Sequence, residues 1–408
     1  MPTDDAAIAA RIAATLPAAR WFADKGAAID RVATHDQLAL PAPSGSGEPS
    51  LSLLLADVHV SGGKRPHRYC LVVDADGRDA ASTPTFARWL LDTALAGGRH
   101  AAAAGTFAGH GEGRVAASAA ASAPPTVTPI GGDASNSSFI VGASDAAFVV
   151  KLFRLCRAGI QPEVEVGEFL AACGWAGAPR LRGWLEYATT DGESTALATV
   201  HDLAPDCTTA WDRVGRLLAA GGPAAAMSTN LLQRIAAIGG LTGEMHRVLA
   251  SRPDIPAFAA RVPSSADRLA MATRMADHAA GVFALIESRL PNVTPSIAKR
   301  LRRLSAARDT LLGRFAGLAS LASDVPHIRV HGDYHLGQVL VGDDDRVFVI
   351  DFEGEPGRPL VDRRAKASAA KDVAGMCRSL DYAVRCAAAA TGRPYRAEDA
   401  RALEACFL

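Results

Sequence analysis

The run His331-Gly-Asp-Tyr-His-Leu-Gly-Gln338, followed by Val347-Phe-Val-Ile-Asp351-Phe-Glu353-Gly-Glu355-Pro356, constrains this chain more than any other feature. A short β-branched stretch, Ile328-Arg-Val330, leads into it, and an apolar run, Val339-Leu-Val341, follows the first motif. Gly342 and three aspartates then turn the chain into Val347-Phe-Val-Ile350. The pattern predicts a strand, a polar loop and a hairpin closed by a Gly/Asp turn. Its acidic groups fall at strand ends, where a rigid scaffold holds loop side chains in place.

Together these groups suit one chemistry. Asp333 can take a proton from an alcohol, Gln338 offers an amide oxygen, and Asp351 offers a carboxylate at the end of the next strand. A carboxylate, an amide oxygen and phosphate oxygens suit Mg²⁺, a hard ion that often keeps few protein ligands. The order of base, amide and acid matches the phosphoryl-transfer template, with Gln in place of Asn and Asp-Phe-Glu in place of Asp-Phe-Gly. The turn aspartates, Asp343 to Asp345, read instead as a solvated acidic turn.

Lys151 interrupts an otherwise apolar strand, Phe148-Val-Val-Lys-Leu-Phe153. A lysine so placed is costly unless it is paired or aimed at an anion. Kinases put their phosphate-binding lysine in such a strand; a lysine guarding a sheet edge is the alternative. The preceding loop, Gly131 to Ser138, lacks the glycine patterns of common nucleotide loops. Its Ser135, Asn136 and Ser137 can still close over a phosphate. Residues Pro162 to Cys173 predict a helix with Val166, Phe169, Leu170 and Cys173 on one face. Glu163, Glu165 and Glu168 are its candidates to hold Lys151, although an acidic first turn also complements the helix dipole.

The run from His331 to Gln338 and the run Ile350-Asp-Phe-Glu-Gly-Glu-Pro-Gly-Arg-Pro-Leu360 resemble the maltokinases, within the aminoglycoside-phosphotransferase-like kinases. So do Lys371 to Ala383, Arg20-Trp-Phe-Ala-Asp-Lys-Gly26 and Val149-Val-Lys-Leu-Phe-Arg154, with a looser likeness between about residues 205 and 325. The resemblance implies an α+β, bilobed protein-kinase-like fold. It implies an N-terminal cap subdomain over residues 1–98, a β-rich nucleotide lobe over 99–205, and a helical C-lobe over 206–408 carrying the catalytic loop. It implies ATP- and Mg²⁺-dependent phosphorylation of maltose to maltose 1-phosphate in α-glucan metabolism, with a trehalose synthase as a possible partner. Another small-molecule kinase, for glucosamine or an aminoglycoside, is the near alternative, and a catalytically silent nucleotide-binding module the remoter one. Asp333 would be the base, Gln338 and Asp351 the metal ligands, and Lys151 the phosphate ligand, with Glu165 favoured as its partner. Ala196 to Val200 would be an edge strand, followed by a hinge at His201 and Leu203 that meets adenine. His331, His335, Glu353, Glu355, Arg378, Asp381 and Tyr382 would face the acceptor. The last three share a helix face after Asp372, a candidate cap, and an internal Arg–Asp pair explains them equally well. His246 resembles a family position but reads as structural. Maltokinases usually continue past Cys406-Phe-Leu408, so terminal helices that complete the C-lobe elsewhere are expected to be missing here.

With 408 residues, more than one core is expected. The 43 basic and 43 acidic residues cancel, which favours neither a nucleic-acid nor a membrane partner and makes Lys299-Arg-Leu-Arg-Arg303 a solvated helix face. The seven cysteines are scattered and unpaired in pattern, as in reduced cytoplasmic proteins, where they serve mostly as small core residues. No signal peptide or spanning segment is evident. Thr3 is expected to cap a first helix with Ile8, Ile12 and Leu16 on one face, and Trp21 and Phe22 to anchor the turn after it. Strands are expected over 51–58 and 69–73, a helix over 84–96, and helices from Trp211 to about Ala322 with Leu232, Ile235, Ile238 and Leu241 inward. The Ala/Gly/Ser-rich stretch 97–125 is either a linker or the start of the next sheet, through Gly105-Thr-Phe107 and Arg114-Val-Ala116.

Overall fold

The computed structural model describes residues 5–41, 50–111, 124–131, 135–143, 146–221, 228–320 and 324–408. The expected Thr3 cap and the Arg114–Ala116 strand lie outside them. Helix α1 (Asp5–Thr15) buries Ile8 and Ile12, with Leu16 just past its end, as the four-residue spacing requires. They pack on an antiparallel sheet ordered β1 (Ile29–Leu40), β2 (Leu51–Val60), β3 (His67–Val73). Strand β1 escaped sequence reading because Asp30, Arg31, His35 and Asp36 blur its alternation. Phe22 anchors in this core as expected. Helix α2 (Pro84–Ala96) is capped by Thr83 and ends at Gly97, whose φ of 74° suits a residue without Cβ. Its Phe86, Trp89, Leu90 and Thr93 are buried, as their spacing demands.

Seven antiparallel strands form the second sheet: β4 (Arg99–Ala101), β5 (Gly105–Gly111), β6 (Thr126–Ile130), β7 (Asn136–Ala143), β8 (Ala146–Phe153), β9 (Leu181–Thr189) and β10 (Ser194–Asp202). Helix α3 (Pro162–Ala172) lies between β8 and β9 in the chain. The spatial order is β4-β5-β9-β10-β8-β7-β6. Strand β10 is therefore interior, which corrects the edge-strand expectation. Ala196 to Val200 are buried on both faces, the pattern of a central strand. One apolar cluster joins β2 and α2 to β8, β9 and β10, so the core runs unbroken across residue 98. The main chain joins too: Cys70 N donates to Arg154 O and Cys156 N to Arg68 O, both at 2.8 Å.

A third sheet, β11 (Cys207–Thr209), β12 (Val339–Gly342) and β13 (Val347–Val349), contains the expected hairpin, with Val339 opposite Val349. Around it in the same compact unit are α4 (Ala210–Ala220), most of α5 (Thr229–Leu249), α9 (Leu360–Arg363), most of α10 (Ala370–Ala390) and α11 (Ala397–Phe407). On α5 the buried series opens at Leu231 rather than Leu232 and continues through Ile235, Ile238 and Leu241. The second unit, Leu249–Val330 with Lys366–Lys371, holds α6 (Ser265–Arg289), α7 (Pro295–Ala306) and α8 (Arg308–Ala319). The basic residues of α7 are exposed, as expected. The strand expected at Ile328–Val330 is reduced to isolated bridges, His327 with Arg261 and Ile328 with Ala367. All seven cysteines are free, but only Cys70 is fully buried, so most are not core residues. No helix among the described residues is long and apolar enough to cross a membrane.

Candidate active site

Strand β8 is interior, so Lys151 guards no edge. Its side chain is 8% exposed and its Nζ lies 2.7 Å from Glu163 Oε2 and 3.2 Å from Glu353 Oε1, with a third bond to Asp351 Oδ1. Burial opposes the ammonium charge, but three carboxylates outweigh it and hold the lysine pKa well above its usual value. Glu163 sits at the second position of α3, after Pro162. Burial alone would raise its pKa, yet Lys151 and His201 draw it down to about 2. Glu163, not Glu165, therefore holds Lys151. Residues two apart on a helix point to different sides, so only one can face β8. Glu165 instead makes a two-pronged pair with Arg364, at 2.9 and 2.6 Å. Glu168 accepts from the Trp184 indole.

The two hinge candidates are also placed differently. His201 Nε2 lies 3.4 Å from Glu163 Oε1, bracing the lysine's partner. The Leu203 amide donates to Ala147 O, which engages it in the protein's own main chain.

At the hairpin, the 3₁₀ turn Leu336–Gln338 leads into β12, and Ile350 N donates to Gln338 O at 3.0 Å. This contact sets Gln338 beside Asp351, whose Oδ2 accepts from Gln338 Nε2 at 2.8 Å. Asp351 has a φ of 67°, a left-handed conformation uncommon outside glycine and found at functional sites. Asp333 is half-buried; its N donates to His331 Nδ1 at 3.4 Å, and its carboxylate meets no donor among the described residues.

Several acceptor candidates prove to be framework. His331 is buried, and Nε2 donates to Ile350 O at 2.9 Å while Nδ1 accepts from Asp333 N, so both ring nitrogens are used inside the loop. Asp372 is not a helix cap. It sits inside α10 and accepts from His331 N, Gly332 N and His246 Nε2 at 2.9, 2.9 and 3.0 Å. Burial pushes its carboxyl up, but His246, His331 and the Gly332 amide outweigh that and hold it below the ordinary range. His246 is structural, as expected. Glu353 is buried between Lys151, Asn136 Nδ2 at 3.0 Å and Arg363 Nη1 at 3.4 Å. Burial raises its pKa to about 7, with the charges of Asp351 and Glu163 adding to the rise and Lys151 opposing it. Glu355 pairs with Arg358.

Asn136 thus faces the acidic cluster, with Ser135 Oγ accepting from it at 3.0 Å. Ser137 alternates to the other face of β7 and accepts from Arg154 Nε at 2.8 Å, away from Lys151. His335 Nδ1 accepts from Gly337 N at 3.0 Å, and burial lowers its pKa. Arg378 is exposed and its charge bears on His335. Asp381 is taken by Arg385 and Tyr395, an internal Arg–Asp pair with a different arginine. Tyr382 is exposed and stacks on Trp211 at 5.7 Å. Sequence reading missed Arg363, Arg364 and Trp211; the two arginines lie just beyond the motif that was singled out.

The donor set fits Mg²⁺. Among the described residues no group of three or more His, Cys, Asp and Glu is placed to hold a metal. A site of one carboxylate, Asp351, and one amide oxygen, Gln338 Oε1, completed by phosphate, is what this ion accepts. The amide already orients Asp351 through its nitrogen, which leaves the oxygen available.

A carboxylate without a donor, a buried lysine and an amide–acid pair on one hairpin are the parts of a phosphoryl-transfer site. The profile of the phosphotransferase enzyme family (APH) matches residues 126–362, which carry all of them. The chain belongs to this family. Curated relatives of this chain include a glucosamine kinase of Streptacidiphilus jiangxiensis, 34% identical over 259 residues, which are 62% of this chain and 53% of the relative. A glucosamine kinase of Mycolicibacterium smegmatis is 30% identical over 254 residues, 62% of this chain and 58% of the relative. The match spans little more than half the length of these relatives. Among solved structures, a glucosamine kinase (crystal form A) aligns with a TM-score of 0.61 and 25% identity, covering 92% of this chain and 78% of that one. A glucosamine kinase in complex with glucosamine, ADP and inorganic phosphate shares the fold, with a TM-score of 0.63, 23% identity, and coverage of 92% and 79%. The α+β, kinase-like fold class stands. These relatives support the aminoglycoside-phosphotransferase-like kinases without singling out the maltokinases.

Proposed function

We propose that this phosphotransferase is an ATP- and Mg²⁺-dependent sugar kinase whose acceptor is an amino sugar of the glucosamine type. The observation that carries the kinase reading is Lys151, buried and held by Glu163, next to the Gln338–Asp351 pair. Lys151 would place its charge on the nucleotide phosphates, as Glu163 and Glu353 keep its ammonium in position. Gln338 and Asp351 would hold Mg²⁺, which when bound neutralises phosphate charge. Asp333 would orient the acceptor hydroxyl and take its proton, since no donor among the described residues competes for its carboxylate. One feature favours an amino sugar over maltose: both curated relatives named above are glucosamine kinases.

The test is ATP turnover with glucosamine, maltose and an aminoglycoside, with the phosphorylated position read by NMR. Glucosamine should be the best acceptor. Turnover of maltose alone would return the assignment to the maltokinases, and no turnover with any of the three would remove the kinase reading.

A further inference from the structure

Arg154 follows the strand that presents Lys151 but lies an odd number of residues from it, so it points to the opposite face. Its side chain is 1% exposed. Nε donates to Ser137 Oγ at 2.8 Å, Nη2 donates to Asp79 Oδ2 at 2.7 Å, and the guanidinium lies 4.5 Å over the Trp21 ring. Nη1 has no partner among the described residues. A buried guanidinium N–H with no acceptor is costly, and such groups are rare unless water, an ion or a ligand completes them. Arg154 lines a cavity of about 220 Å³, together with Arg20, Trp21, Asp79, Ser82 and Ser137.

The chemistry of this wall selects its occupant. Two guanidiniums face one carboxylate, so the cavity carries net positive charge. Arg20 is exposed and makes no ion pair among the described residues. Ser137 accepts from Arg154, so its own hydroxyl hydrogen is free to donate toward the cavity. Guanidinium forks and hydroxyl donors match the oxygens of phosphate. The volume has room for a phosphate with a short organic group. We propose that this cavity, walled by the N-terminal segment and by β7 and the end of β8, binds a small phosphate oxyanion, either inorganic phosphate or a phosphate monoester. It is separate from the site around Lys151 and does not depend on the acceptor assignment.

The test is calorimetric titration of the full chain, without nucleotide, with inorganic phosphate and separately with glycerol phosphate. Saturable binding of either that weakens in Arg20→Ala supports the site, and the tighter of the two identifies its class of ligand. Arg20→Ala should weaken that binding by about tenfold or more, the usual worth of a charged hydrogen bond. Ser82→Ala should weaken it less, and an excess of ADP, which occupies the nucleotide site, should leave it in place. Arg20 and Ser82 are used because a change at buried Arg154 risks the fold. Absence of saturable binding at millimolar ligand overturns the proposal. So does binding that survives Arg20→Ala and disappears in an excess of ADP, which would put the phosphate in the nucleotide site. Equal weak binding by every variant, an adventitious ion only, overturns it as well.

Discussion

The β12–β13 hairpin has two acidic ends. At the turn, Asp343 and Asp345 pair with Arg213 and Arg234, and their side chains are 78% and 74% exposed. At the strand end, Asp351 and Glu353 share Lys151 with Glu163, and the two glutamates are 7% and 6% exposed. The residue types are alike and the pairs have similar lengths. What differs is the surrounding medium. Water screens the turn, so its ion pairs contribute little. At the strand end Asp351 is 29% exposed, but either glutamate left unpaired would lack solvation, so the partners of Lys151 matter.

That contrast is open to attack from its strongest side first. Asp333→Asn keeps the shape of the loop but loses the free carboxylate; kcat should fall by about 10²–10⁴-fold with ADP·Mg²⁺ affinity near that of the parent. Near-parental turnover would break the proposed mechanism. Asp351→Asn should lower Mg²⁺-dependent turnover by about 10²–10³-fold, the loss expected when several kcal/mol of charge stabilisation go. Nucleotide affinity measured without metal should change little.

Next comes the choice between two neighbouring glutamates. Glu163→Gln should reduce kcat/KM for ATP by about 10–100-fold, the value of one charged hydrogen bond to Lys151. Glu165→Gln, which touches Arg364 and not Lys151, should change it by less than about threefold and act on melting temperature instead. The opposite ranking would return the lysine to Glu165.

Asp372→Asn should destabilise the protein by about 1–3 kcal/mol at neutral pH, since two loop amides and His246 lose a charged acceptor. The sign of its pH dependence follows from the lowered pKa of Asp372. Its stabilisation is present above the ordinary carboxyl range and is lost as pH falls through the folded-state value, so parent and variant should converge in acid. A gap in melting temperature that stays constant down to acid pH would show that charge is not what Asp372 supplies. The smallest effect belongs to the turn: replacing Asp343, Asp344 and Asp345 together by Asn should leave turnover and melting temperature unchanged within error at moderate salt.

Sequence reading found the hairpin, Lys151, Asp351 and Gln338 because each breaks a local pattern. A lysine in an apolar strand and a carboxylate closing a β-run are visible without knowing what lies across space. It failed where the answer was a partner. Glu163 and Glu165 are indistinguishable until the rotation of α3 is known. His331 and Glu353 sit inside a motif rich in functional residues, and nothing local says that their polar atoms turn inward to Ile350, Asn136 and Arg363. Strand β10 was assigned to an edge by analogy, although its five buried residues in succession already argued for the centre.

The hydrogen bonds that run from β3 to the chain just after Lys151 have a practical consequence for anyone cutting this gene. The N-terminal sheet is spliced to the lysine strand by main chain as well as by a common core. A truncation that starts at β4 would strip one wall from Arg154 and leave the extension of the lysine strand without its donors and acceptors. The minimal folded fragment should therefore begin before α1. Tags or reporters belong in the exposed turn at Gly62–Gly63, where nothing from the lysine strand is attached.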